Sequence, residues 1–206
     1  MDGDKGVEGE ILKLLKKAIQ NLISVQESLE PVRDQIIHDT REIYVLVRNG
    51  FKKAYRGEYE SLRNLIEEVS VKTSHLLDTL DSYDEEALYR IAYDPLREYV
   101  ELILLYTVAS RDTSLLHLID SVDSKVVLDG FVDFAGEIMR LVQQAISESR
   151  CEDANRFISL FEEIYIEFYT SQLSNFVYKD HKRKSDRMRS LLERIKSDYL
   201  YGCGRR

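Results

Sequence analysis

The sequence predicts an all-α protein: a seven-helix bundle, or an α-α superhelix, forming one domain. Three observations carry this. Apolar residues recur at three- and four-residue steps along nearly the whole chain, which is the helical period. Only nine of the 206 residues are Gly and two are Pro. Five of those glycines (Gly3, Gly6, Gly9, Gly202 and Gly204) lie near the two ends, so the turns a sheet protein needs are missing. Hydrophobic residues make up 44% and charged ones 32%, a globular balance rather than a disordered one.

The elements follow in order. Ile11, Leu14, Leu15, Ala18, Leu22 and Val25 start an apolar face that resumes with Val32, Ile36, Ile37, Ile43 and Val47. This predicts a first helix over 8–49, kinked or broken at Pro31 and stopped near Gly50. Leu62, Leu65, Ile66, Val69, Val71, Leu76 and Leu77 define a second over 59–80. Ser82 with Glu85 reads as a capping box for a third over 84–110, with Pro95 as another kink. A short helix over 112–120, capped by Asp112, comes next. Helices over 124–148, 153–175 and 180–200 complete the seven, and Gly202 marks the end. The single domain spans 1–206, with 1–7 flexible and 203–206 as a tail.

Several classes drop out. Cys151 and Cys203 are too few and too far apart for a disulfide scaffold or a Cys-based zinc site, which fits a reducing cytosol. The acidic start MDGDKGVEGE is no signal peptide. The apolar run at 102–109 is far below the roughly 20 residues needed to cross a bilayer, so no membrane partner is expected and the location is read as cytoplasmic. The four histidines are scattered, and there is no Gly-rich phosphate loop or G-x-S-x-G.

Charge is uneven. The chain carries a net charge of −8, yet residues 179–206 hold ten Lys or Arg against four acids. Lys182, Arg183, Lys184, Arg187 and Arg189 are either a solvated face or a phosphate-binding one. Glu98 and Glu101 are odder, because nearly every neighbour is apolar. Three apart, they leave one helix face, and Arg90, Asp94 and Arg97 share it at 100° per residue. Like charges buried together need cations, supplied by Arg97, by another helix or by a metal. Asp133 and Glu137 form a second same-face pair, extended by Asp129, Arg140 and Gln144, with Gly130 and Gly136 beside it to allow close helix approach. Either this is the wet side of an amphipathic helix, or the two pairs meet across a helix contact as metal ligands. All-oxygen ligands favour Mg²⁺ or Mn²⁺ over zinc.

These residues resemble the translin family, and in particular its catalytic branch, translin-associated factor X. The segment REYVEL (97–102) resembles that branch's QEYVEA, and DFAGEIMRL (133–141) its DLTGELMRM. Asp129-Gly130-Phe131 falls where the family has a D-Y-L turn. VRDQIIHDTREI (32–43), SRCEDANRFISLFEEIY (149–165) and HKRKSDRMRSLLERIKSDYLYG (181–202) extend the resemblance over roughly 30–202. It implies a seven-helix fold assembled into a closed octameric barrel, as a homo-oligomer or with a second translin-type subunit. It also implies a Mg²⁺-dependent endoribonuclease acting on single-stranded RNA or the nicked strand of small duplexes. Glu98, Glu101, Asp133 and Glu137 match the metal-binding, catalytic carboxylates. Plain translin subunits lack this set and mainly bind RNA or single-stranded DNA. Arg90 and Arg97 lie where RNA contacts are carried over. The chain departs from the pattern in a shorter stretch before Glu98 and in Asp94-Pro95.

Overall fold

The structure, a computed structural model, describes residues 3–83 and 85–204. Its elements are α1 (Gly3–Tyr55), α2 (Tyr59–Tyr83), α3 (Glu86–Ser110), a 3₁₀ turn (Leu116–Ile119), α4 (Ser124–Ser147), α5 (Cys151–Thr170) and α6 (His181–Gly202). Among the described residues there are therefore six α-helices rather than seven, in an all-α bundle. The segment read as a short helix over 112–120 is largely turn. The Asp112 carboxylate accepts the Ser114 N–H at 2.9 Å and the Tyr106 hydroxyl at 2.7 Å. Such side-chain bonds compete with helix formation.

α3 and α4 form the middle of the molecule. α1 and α2 pack on α3, while α5 and α6 pack on α4 and on each other. One apolar core runs through all six, with Tyr99, Leu102, Ile103, Phe134, Ile138 and Phe161 among its largest buried side chains. The helices are longer than their sequence punctuation suggests. α1 passes Pro31 without a break, in an exposed stretch where water can take the carbonyl that proline leaves unpaired. It also passes Gly50, whose missing side chain makes room for α3: a Cβ there would sit 2.5 Å from Leu102 Cδ2. The stop comes at Gly57, where φ is +71°.

Three further expectations need correction. Ser82 does not cap α3; it lies inside α2 and its hydroxyl donates to the Asp78 carbonyl at 2.7 Å. The expected α3 start at 84 lies outside the described residues. The apolar stripe from Ile11 to Val25 is not core but exposed, because α1 projects beyond the bundle. Val71 is likewise exposed. Of the 1–7 stretch, residues 1 and 2 lie outside the described part, and the chain is helical from Gly3. Residues 205 and 206 of the tail also lie outside it.

The two cysteines, read as too few and too separated for a disulfide scaffold, form a disulfide, Cys151–Cys203, with Cα atoms 5.8 Å apart. The antiparallel run of α5 and α6 brings the start of one beside the end of the other. Closing a loop of 52 residues removes unfolded-state entropy corresponding to about 4 kcal/mol in the chain-entropy account.

Candidate active site: two adjoining clefts

The α3–α4 contact sets the site. Gly130 lies against Val100, where a Cβ would fall 2.6 Å from Val100 Cγ1. The missing side chain lets α4 press close to α3, so the acidic faces of the two helices meet at one surface. Gly136, expected to serve the same end, faces open space.

One cleft, of about 370 Å³, is lined by Glu98 and Glu101 from α3, Glu137 and Arg140 from α4, and Arg48, Phe51, Lys52 and Tyr55 from α1. Glu137 is buried; it accepts the Tyr55 hydroxyl at 3.0 Å and has Arg140 Nε at 3.6 Å. The Arg140 guanidinium also lies over the Tyr55 ring, 4.6 Å from its centroid. Arg48 Nε approaches Glu98 Oε2 at 3.5 Å, yet that buried oxygen receives no hydrogen bond.

Burial dominates the electrostatics here. It pushes the Glu98 carboxyl up, against Arg48 and Arg97. It pushes Glu137 up, against Arg140 and Tyr55. It lifts Glu101 to about 7, reinforced by the neighbouring charges of Glu137 and Glu98.

Asp133 is not in this cleft. It lines a second one, of about 400 Å³, with Arg97, Asp129, Val132, Arg183, Lys184 and Arg187. Its two oxygens face opposite ways, Oδ2 to Arg97 and Oδ1 to Arg187 Nη1 at 3.4 Å. Arg97 also reaches Asp94 at 3.2 Å. Asp129 accepts from Tyr93 at 2.7 Å, from Lys184 at 2.5 Å and from the Tyr178 hydroxyl. Burial raises its pKa, but those bonds together outweigh burial and hold it below the usual range. Four cations thus face two carboxylates, an anion-attracting surface next to a carboxylate-rich one.

The sequence expectations divide accordingly. Glu98, Glu101 and Glu137 come together, and Asp133 sits one helical turn away on α4, engaged by two arginines. Of the expected RNA contacts, Arg97, Arg183, Lys184 and Arg187 share the second cleft. Arg90, Lys182 and Arg189 are exposed and line neither cleft; Arg90 pairs with Glu86 at 2.6 Å and Arg189 with Asp186 at 3.3 Å. Sequence reasoning missed Arg48, Lys52 and Tyr55. Their four- and three-residue spacing marks a polar stripe on an otherwise core-packed stretch of α1, and that was the available signal.

The first cleft suits a hard divalent cation in its chemistry. Its donors are all carboxylate oxygens, they repel one another, and Glu98 Oε2 lacks a hydrogen-bond donor. Among the described residues, however, no three acidic, His or Cys side chains converge tightly enough to form a ready coordination shell. Nor is any described helix long and apolar enough to cross a membrane.

No family model matches the chain. An uncharacterised protein of Methanocaldococcus jannaschii is 26% identical over 185 residues, 87% of this chain and 80% of its own length. Among solved structures, apo-NeC3PO superposes with a TM-score of 0.76 at 25% identity, covering 89% of this chain and 96% of its own. AfC3PO does so with 0.74 at 22% identity, covering 92% and 98%. A complex of AfC3PO with duplex RNA gives 0.78 at 20% identity, again covering 92% and 98%. The chain has the all-α fold of these C3PO proteins over about nine-tenths of its length, which bears out the translin resemblance.

Proposed function

We propose that this chain is a Mg²⁺-dependent endoribonuclease, with Mn²⁺ as the alternative ion, that hydrolyses phosphodiesters of single-stranded RNA or nicked small duplexes. It acts as a single translin-like domain of the factor X type, in a homo-octamer that a second translin-type subunit could join. The observation that carries the reading is the first cleft: Glu98, Glu101 and Glu137 share a partly desolvated space, one buried carboxylate oxygen lacks a donor, and a cationic cleft adjoins them. Similarity to a protein solved with duplex RNA supports RNA as the ligand.

Glu98, Glu101 and Glu137 would hold the ion. When bound, Mg²⁺ acidifies a coordinated water and shields charge on the phosphoryl oxygens. A carboxylate of the set left free of the ion, Glu98 or Glu101, would take the attacking water's proton. Arg97, Arg183, Lys184 and Arg187 grip phosphates, and Arg offers the bidentate fork that phosphate favours. Asp133 is the fourth carboxylate of the set and lies in the cationic cleft, between Arg97 and Arg187. With RNA as substrate the chain is assigned to the cytoplasm, where its disulfide must hold against a reducing pool.

The test is incubation of the purified chain with labelled single-stranded RNA. Cleavage is expected with Mg²⁺, is absent in EDTA, and is lost in Glu101→Gln while RNA binding survives. A second reading, an RNA-binding subunit without catalysis, is favoured by the engagement of Asp133 with two arginines. Salt-dependent binding with no cleavage at any Mg²⁺ concentration would establish it. Neither binding nor cleavage would leave a structural scaffold.

A further inference from the structure

The loop between α5 and α6 carries a side chain that the fold does not use. Phe176 is 98% exposed, more than any other large apolar residue described, and Val177 beside it is also exposed. The segment that holds it is nevertheless pinned. Leu173 packs against the core, and Tyr178 is buried. Between them the Val177 and Tyr178 N–H groups both donate to the Ser174 carbonyl, at 3.0 and 2.9 Å, which closes one helical turn. Residues two apart on such a turn point about 200° away from each other. Tyr178 faces inward, so Phe176 faces out.

Tyr178 ties this turn to the cationic cleft. Its hydroxyl donates to Asp129, which lines that cleft. Lys184, another lining residue, holds its ammonium 4.0 Å from the centre of the Tyr178 ring. Behind it Phe168 packs edge-on against Tyr178, with ring centres 6.0 Å apart, and stacks on His181 at 4.6 Å. Consecutive Cα atoms are 3.8 Å apart, so the Cα of Phe176 lies within about 8 Å of that of Tyr178. The exposed ring therefore stands at the rim of the cleft, and Lys179 adds an exposed positive charge beside the turn.

We propose that Phe176 is a stacking platform for an unpaired base of the RNA whose phosphates occupy the cationic cleft. This rests on the RNA reading above and gives it a selectivity. Bases of a continuous duplex are already stacked on their neighbours, whereas a single strand, or a strand end at a nick, has a base face to offer. Three features fit this occupant. Aromatic ring and phosphate-gripping cations stand side by side, as the two ends of a nucleotide require. The turn is already held in place, so a base lands on it without the cost of ordering a loop. Apart from Val132, every side chain lining the cleft is charged; these grip phosphate and leave the base to the ring.

The sequence contains no Trp, so Phe176→Trp places a single indole reporter at the platform. Labelled RNA is titrated in EDTA, which keeps it uncut. Anisotropy of the label reports binding, and indole emission reports stacking. Single-stranded RNA is expected to quench the indole over the concentrations that raise the anisotropy. A long continuous duplex, in which free ends are scarce, should quench it little. Phe176→Ala should weaken single-strand binding about tenfold, the scale of one lost base stack, and leave duplex binding as it was. The salt slope should stay the same, because a stack releases no counterions. The ring contributes nothing to the core, so circular dichroism of both variants should match the wild type. RNA that binds without quenching, and with equal affinity in Phe176→Ala, would overturn the platform and leave the RNA reading standing. No binding by the wild type would refute both. Equal weakening for single strand and duplex would reject the proposal. A smaller sedimenting species for Phe176→Ala would reject it too, and would give the ring to a subunit contact.

Discussion

Glu101 carries the clearest pH signature. Its carboxyl is lifted to about 7 from an ordinary 4.5, chiefly by burial and then by Glu137 and Glu98. Between those values the folded chain holds a proton that the unfolded chain has released. Stability therefore falls as pH rises from about 4.5 through 7, then levels. The full shift corresponds to roughly 3 kcal/mol, of which about 2 falls between pH 5.5 and 8, and Glu101→Gln should remove it. Thermal melts in EDTA at pH 5.5 and 8 measure this; a wild type no more stable at the lower pH would refute the assignment. Removing the Asp133 carboxylate, by contrast, should destabilise the fold. That carboxylate is paired with Arg97 and Arg187 in a partly buried place, so Asp133→Ala leaves two cations facing each other. The loss should be roughly 1–2 kcal/mol, between surface and buried pairs. An unchanged melting temperature for Asp133→Ala would show the pairs to be weak.

At the scale of elements, two glycines of α4 make a controlled comparison. Replacing Gly by Ala inside a helix gains roughly 0.5–1 kcal/mol from backbone entropy. At Gly136 nothing opposes the gain, because a Cβ meets no atom within 4 Å, so Gly136→Ala should melt higher. At Gly130 the new methyl would lie 2.6 Å from Val100 Cγ1 and 2.9 Å from its Cβ. Overpacking strain of about 1–3 kcal/mol outweighs the gain, so Gly130→Ala should melt lower and push the two clefts' walls apart. Equal melting of the pair would deny the close α3–α4 contact. The Cys151–Cys203 bridge pins the α5–α6 pair in the same way. Reductant should lower the wild-type melting temperature, by an amount matching a loss of about 2–4 kcal/mol, and leave Cys151→Ser unmoved. A wild type indifferent to reductant would mean the bridge contributes no stability.

For the whole molecule, the contrast between an acidic net charge of −8 and a cationic second cleft matters most. Overall repulsion of nucleic acid means that binding must come from a local patch. Arg183, Lys184 and Arg187 replaced together by Ala should weaken RNA binding and lower the slope of log K against log salt by about 2. Lys182 and Arg189 replaced together are the control, since neither lines the cleft, and they should change the slope less. Fluorescence anisotropy across a salt series reads both, and equal slopes for the two sets would return α6 to being a solvated surface.

Much of this was legible in one dimension, because the helical period is a local property. The apolar spacing in 59–80 and 84–110 defines helices wherever they pack, and same-face placement of Glu98 with Glu101 follows from a three-residue step. So does the face shared by Asp133 and Glu137. Periodicity says which residues share a side, but nothing about what stands opposite. Only the packed bundle decided that Glu137 faces Glu98 and Glu101 while Asp133 faces two arginines, that Tyr55 of a distant helix closes the cleft, and that two cysteines 52 residues apart meet. It also decided that one apolar seam is core from Ile36 onward, half-buried at Leu29 and Val32, and exposed from Ile11 to Val25. The residues of the two halves read alike; burial depends on whether another helix passes within reach, and the angle and distance at which helices cross are set by long-range packing that no local pattern contains.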